Sequence, residues 1–206
     1  MKRSLLMTSI IAVAAASALA QQPIKAKTET GKDVILNADG TWKYAEVVTA
    51  PKVVVEVSKP GSAKKLFKSD RGRFGIWYDE TKWHLSPKPT EPGRTEFDLL
   101  RGDGYATAII EEIGIPLNSL KKIALDNARQ AAADAKIVFE EYRTVNGKQV
   151  LCMKIEGTIE EIPFRFYGYY YGGKEGTIQL LTFTGASLFE KYESDFTGLL
   201  NGLEIY

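Results

Sequence analysis

His84 is the only histidine and Cys152 the only cysteine in 206 residues. A zinc site at His84 would need further nitrogen or sulfur ligands, and Cys152 is the sole candidate. Nothing in the spacing brings the two together, so no metal or other cofactor is expected. A Ser–His–Asp triad is assembled in space rather than along the chain. A hydrolase using His84 with a carboxylate therefore stays open as the least favoured reading, and no G-x-S-x-G elbow supports it. Cys152 sits in the apolar run VLCMKI, where a lone cysteine reads as a small buried core residue. With no second cysteine, no disulfide can form within the chain.

Paired carboxylates at Glu111–Glu112, Glu140–Glu141 and Glu160–Glu161 invite a glycosidase or calcium reading. Neighbouring strand residues point to opposite faces, so no pair makes a dyad by itself. Asn37-Ala38-Asp39-Gly40 lacks the carboxylate spacing of a calcium loop. Gly102-Asp103-Gly104 and Gly172-Gly173 read as turns, because a phosphate cradle needs a helix start just after it. The remaining concentration is aromatic: FRFYGYYYGGKEGTIQLLTFTG, residues 164–185. Alternation sets Arg165, Tyr167, Tyr169 and Tyr171 on one side of a strand and Phe164, Phe166, Gly168 and Tyr170 on the other. Two readings follow. Both sets are core, or Arg165, Tyr167 and Tyr169 form a contact patch for a partner or glycan, with Trp42 as a further contact.

The elements that must carry these residues are legible from periodicity. RFGIWYD alternates Phe74, Ile76 and Tyr78 as a strand. Strands are expected over Thr95–Leu100 and Tyr105–Ile113, joined by the Arg101–Gly104 turn. A helix is expected over Pro116–Ala135, with Leu117, Leu120, Ala124, Ala128 and Ala131 on one face. KIVFEEYRTV and KQVLCMKIEG flank Asn146-Gly147, a dipeptide suited to a two-residue hairpin turn. Strands over Ile162–Tyr171 and Thr177–Thr184 follow. Ser187 is expected to open the last helix in a reciprocal cap with Glu190, and Asn201-Gly202 to end it. The order predicts an α+β domain, an antiparallel sheet with helices on both faces.

Ahead of this domain the chain begins MKRSLLMTSIIAVAAASALA. A basic start, a short apolar run and Ala18-Leu19-Ala20 read as a secretory signal cleaved after Ala20. The apolar run is shorter than the roughly 20 residues that cross a bilayer. Without Lys2 and Arg3, the 27 basic residues fall to 25 against 26 acidic ones, a net charge of −1. Such a surface lacks the basic field that nucleic-acid binding needs. Residues 21–45 read as a small β-hairpin segment ending in Asp39-Gly40-Thr41-Trp42, similar to a motif of exported bacterial proteins. Residues 46–67 read as a linker with a possible strand at Val53–Val57, and residues 68–206 as the α+β domain.

RFGIWYDETKW, the central helix, RTVNGKQV, FRFYGYYY, GTIQLLTFTG and LLNGL together resemble the PsbP-like family over residues 64–206. That family comprises the extrinsic photosystem II subunit and bacterial periplasmic relatives of the DcrB kind. The resemblance implies an α/β/α sandwich and a binding or assembly-assisting role, with no catalytic residues to carry over. Asp79 stands where a proline is common before the tryptophan, and the lipid-bearing cysteine of many relatives is missing. The expectation is a soluble periplasmic, or alternatively secreted, non-enzymatic protein. Its partner would be an envelope protein or a small ligand. The alternative is an envelope interaction module docking through the N-terminal hairpin.

Overall fold

The computed structural model describes residues 24–28, 33–37, 40–44, 55–87 and 91–206. The signal segment and its cleavage site lie outside them. The chain divides into two compact units, residues 1–49 and 50–206. No helix among the described residues is long and apolar enough to cross a membrane.

The first unit carries three short antiparallel strands, β1 (Ile24–Lys27), β2 (Asp33–Leu36) and β3 (Trp42–Tyr44), in the order β1-β2-β3. The β2–β3 turn closes because Gly40 takes φ 81° and Asn37 Nδ2 donates to Thr41 Oγ1 at 2.9 Å. Ile24, Leu36 and Trp42 stand opposite one another in a single cross-strand row.

The second unit begins with β4 (Val55–Val57), β5 (Lys65–Lys68), β6 (Phe74–Tyr78), β7 (Trp83–Leu85), β8 (Arg94–Leu99) and β9 (Tyr105–Glu111). Helix α1 (Leu117–Ala131) follows, then β10 (Lys136–Val145), β11 (Lys148–Ile159), β12 (Ile162–Gly173) and β13 (Gly176–Gly185). The chain closes with α2 (Phe189–Leu200) and β14 (Leu203–Ile205). Eight strands form one sheet in the order β4-β10-β11-β12-β13-β9-β8-β7, and β14-β6-β5 form another. The pairing of β4 with β10 is parallel; the other described pairings are antiparallel. The larger sheet is therefore mixed rather than wholly antiparallel. Residues 55–67, expected as linker with a possible strand at Val53–Val57, contribute β4 and all of β5 but Lys68, and bury Ala63.

The major core joins Phe189, Phe196 and Leu199 of α2 to Phe74 and Ile76 of β6 and to Cys152, Tyr167, Tyr169, Ile178 and Leu180 of the large sheet. Leu120 and Ala124 of α1 pack with Leu151, Met153 and Tyr170. The helix ends at Ala131, four residues short of the expected end. Ala132 is extended, and the chain turns so that Ala132 and Ala135 press on β11 at Gly157. A Cβ there would meet Ala132 Cβ at 2.7 Å.

The expected Ser187–Glu190 cap does not form. Residues Ala186–Leu188 make a 3-10 turn, and no side chain caps α2. Ser187 lies one residue ahead of the N-cap position, Leu188, and Glu190 Oε1 instead accepts from Arg165 Nη1 at 3.1 Å. Asn201-Gly202 ends α2 as expected, with Gly202 outside the left-handed region. A Cβ at that position would lie 1.9 Å from the Trp77 carbonyl oxygen, where β6 and β14 converge.

Asn146 and Gly147 take φ 47° and 80°, as the two-residue hairpin requires. Glu160 and Glu161 form the β11–β12 turn in the same way, at φ 49° and 67° between Ile159 and Ile162. Two glutamates in the left-handed region cost roughly 1–2 kcal/mol each. Replacing them with Asn-Gly (Glu160→Asn, Glu161→Gly) is expected to raise the unfolding free energy by about 1–2 kcal/mol. Urea unfolding checks it; a loss of stability would mean the glutamate side chains hold the turn by contacts stronger than that strain.

Candidate functional site

The tyrosine-bearing strand β12 runs through the interior. Tyr167 and Tyr169 are 2% and 0% exposed. Both hydroxyls accept from Arg143 Nη1 at 2.8 Å, and the Tyr169 hydroxyl donates to Asn201 Oδ1 at 2.8 Å. Arg143 Nε bonds Glu141, so the guanidinium joins three groups inside the sheet. Tyr170 faces α1. Arg165 lies nearer the surface, donating to Glu156 from Nε and Nη2 at 2.9 and 2.6 Å, with its guanidinium 4.8 Å from the Phe189 ring centroid. Trp42, 55% exposed, belongs to the other unit. Cys152 is buried, and burial pushes its thiol up to about 11, so the sulfur is protonated at neutral pH.

The carboxylate pairs separate as alternation requires. Glu140 meets Lys121 while Glu141 meets Arg143. Glu111 and Glu112 are exposed, and Glu160–Glu161 make a turn. No three histidine, cysteine or carboxylate side chains among the described residues gather as metal ligands.

A buried carboxylate that sequence reasoning passed over is Glu175, in the β12–β13 turn. It accepts from Lys148 Nζ at 2.8 Å and from the Tyr171 hydroxyl. These two bonds, Lys148 first, draw its carboxyl down from 4.5 to about 2. A carboxyl lowered by folding adds stability above its unfolded value, and that stability is lost as pH falls from 4.5 toward 2. The Glu175→Gln variant is expected to be less stable at neutral pH. Its melting temperature should also fall less steeply than wild type through that window, as thermal melts between pH 2 and 5 would record.

A cleft of about 910 Å³ opens where the β5–β6 hairpin meets the β7–β8 edge. Phe97 sits behind it, edge-on to Phe67 at 6.3 Å and to Tyr78 at 5.4 Å. Around the mouth stand Lys68, Asp70, Arg71, Glu80, His84 and Arg94. Alternation along β7 explains His84: Trp83 turns inward, 6.1 Å from the Phe196 ring, so His84 faces solvent. Its ring makes no hydrogen bond or ion pair with a described residue. Asp79, at the position where a proline is common, folds the β6–β7 turn. Its Oδ1 accepts from Thr81 N at 2.9 Å and from Thr81 Oγ1 at 2.6 Å. The Thr81 hydroxyl holds the Asp79 carboxyl below its ordinary value. On the far wall, Gly93 takes φ 79°, and a Cβ there would lie 2.5 Å from the Ile110 carbonyl oxygen.

The cleft gathers both charge signs and aromatic rings around an exposed imidazole. A nucleophile–base pair needs the imidazole within about 2.6–3.2 Å of its partner, and His84 makes no such bond. The wall suits contact with a mixed polar and aromatic surface. Of the candidate site residues named from the sequence, only His84 lies here. The others come from β5 to β8 and the loops between them, whose convergence depends on how the two sheets meet, which no local spacing encodes.

No protein-family model matches the chain, and no curated protein sequence matches it. Among solved structures, cyanobacterial PsbP (CyanoP) from Synechocystis sp. PCC 6803 is similar over 72% of this chain and 98% of its own, with TM-score 0.55 and 14% identity. Protein PA94 of Pseudomonas aeruginosa, of unknown function, is similar over 69% of this chain and 96% of its own, with TM-score 0.44 and 9% identity. LpqN of Mycobacterium tuberculosis, involved in cell envelope biogenesis, is similar over 72% and 81%, with TM-score 0.37 and 9% identity. The likeness to the cyanobacterial protein spans nearly all of that molecule, and by it this chain has the PsbP-like fold.

Proposed function

We propose that this is a non-catalytic exported binding or assembly-assisting protein of the periplasm, which engages an envelope protein or small ligand through the cleft around His84. The cleft carries this reading: about 910 Å³, walled by Phe67, Tyr78 and charges of both signs, within the usual range for ligand sites. A rigid scaffold supports it. Residues adjacent in β12 serve different helices, Tyr169 packing with α2 and Tyr170 with α1. On that alternation the sheet is clamped between two helices. The test is capture from a native envelope extract on immobilised protein, with mass spectrometry of what is retained. Wild type should retain a defined set that the Arg71→Glu, His84→Glu variant loses. Equal retention by both would remove the cleft from the reading. Turnover of a hydrolase substrate panel that disappears in His84→Ala would replace binding with catalysis.

A second reading is an interaction module docking through the N-terminal sheet. It is favoured by the cross-strand row Ile24, Leu36 and Trp42, each exposed, since a sheet this small is at best marginally stable alone. Under this reading, deleting residues 24–45 abolishes retention of envelope material while the cleft variant does not. Arg165, on the rim of α2, is a secondary contact whose Arg165→Ala variant should weaken retention without unfolding the protein.

A further inference from the structure

A second cavity, of about 210 Å³, lies under the edge of α1, on the side of the sheet served by Tyr170. Three cross-strand rows floor it. They are Arg94–Ile109–Gln179–Tyr170, then Glu96–Thr107–Leu181–Gly168, then Tyr105–Phe183–Phe166–Ile155. Small residues on α1, Ala124, Ala128 and Ala131, leave the space open above. The walls are mainly apolar and aromatic.

Two polar atoms stand out. Among the described residues, Arg94 Nε and Thr107 Oγ1 are the buried side-chain atoms with no hydrogen-bond partner, and both residues line this one cavity. Thr107 is only 6% exposed. Arg94 Nε lies 3.2 Å from Glu96 Oε1, close enough for an ion pair but misaligned for a hydrogen bond. Arg94 and Thr107 are diagonal neighbours on β8 and β9, a placement that sets them about 7–8 Å apart at the backbone with side chains able to converge. Leaving a buried donor unsatisfied is costly, and native interiors rarely do so.

We infer that this cavity is a binding site for a small, uncharged, largely apolar molecule bearing one acceptor oxygen, such as an aromatic ketone or ester. The oxygen takes the Arg94 Nε–H and Thr107 O–H bonds, and the ring lies against Phe166 and Phe183. The ligand is uncharged because Glu96 already balances the guanidinium and would repel a carboxylate. The volume is about seven water molecules' share of the liquid, which limits the ligand to roughly the size of a substituted benzene. The site is separate from the His84 cleft in its walls, apart from Arg94, and stands whether or not that cleft binds a partner.

The test uses full-length protein labelled at isoleucine and leucine methyl groups, titrated with acetophenone, with cumene as its shape-matched analogue lacking the oxygen, and with benzoate. Acetophenone is expected to give saturable shifts centred on Ile109, Ile155 and Leu181. Cumene should bind about ten- to a hundredfold more weakly, the worth of two hydrogen bonds, and benzoate should bind more weakly than acetophenone because Glu96 repels its charge. Thr107→Val should weaken acetophenone about three- to tenfold, the worth of one hydrogen bond, and leave cumene unchanged. Ala128→Leu, which fills the space, should abolish all shifts while the fold is retained by circular dichroism. Absence of saturable shifts with acetophenone would mean that water alone satisfies the two groups, and would overturn the inference. So would cumene binding as tightly as acetophenone, which needs no variant to observe.

Discussion

Replacing Asn146 with alanine should lower the unfolding free energy by about 4 kcal/mol, at about 1 kcal/mol for each hydrogen bond lost plus the cost of alanine at positive φ. The residue does two jobs. Its backbone, at φ 47°, makes the β10–β11 turn. Its side chain makes three bonds to two other segments: Oδ1 accepts from Lys59 N at 2.8 Å, and Nδ2 donates to the carbonyls of Asn201 at 3.1 Å and Leu203 at 2.7 Å. The segment after β4, the central hairpin and the C-terminal strand are thus tied at one amide. Asn146→Gly keeps the turn and loses only the bonds, so it should lose about 3 kcal/mol. Asn146→Asp keeps the Lys59 bond but sets a carboxylate against two carbonyl oxygens, and should be less stable than the glycine variant. Urea unfolding of the three proteins orders them. An alanine variant within about 1 kcal/mol of wild type would show that the amide's bonds exchange freely with water.

The second large effect is expected at Arg143. Its side chain and that of Glu141 are 15% and 17% exposed, and its Nη1 serves Tyr167 and Tyr169 together. Arg143→Met strands a mostly buried carboxylate and leaves the Tyr167 hydroxyl without that donor. Breaking one side of a buried pair typically costs about 3–5 kcal/mol. The double variant Arg143→Met, Glu141→Leu removes the stranded charge, and by the same reasoning should recover more than half of the loss. Tyr169→Phe alone should cost about 1 kcal/mol. Unfolding curves for the three variants separate ionic from tyrosine contributions. A double variant no more stable than the single one would place the cost in packing rather than in the charge.

The strands and helices were readable because each has a period of its own. Asn146-Gly147 announces its hairpin through residue chemistry, and the spacing of Leu120 and Ala124 announces the face of α1. Glu160-Glu161 makes the same kind of turn without the customary residues, so only the register of Ile159 with Ile162 reveals it. The parallel β4–β10 pair joins residues nearly ninety positions apart, and no local pattern encodes that. The same limit applies to function. The tyrosines of β12 are conspicuous in sequence and lie inside the fold. The cleft around His84 and the cavity beside Thr107 draw on residues from separate strands and loops. Thr107 looks like any strand threonine until its neighbours are known.

Strand β14 pairs with β6 near the start of the unit, Leu203 beside Ile76 and Ile205 beside Phe74. Both strands feed the principal core, so that core closes only once segments far apart along the chain have met. Contacts of such long sequence separation form slowly, which makes docking of β14 on β6 a late event in folding rather than an early one.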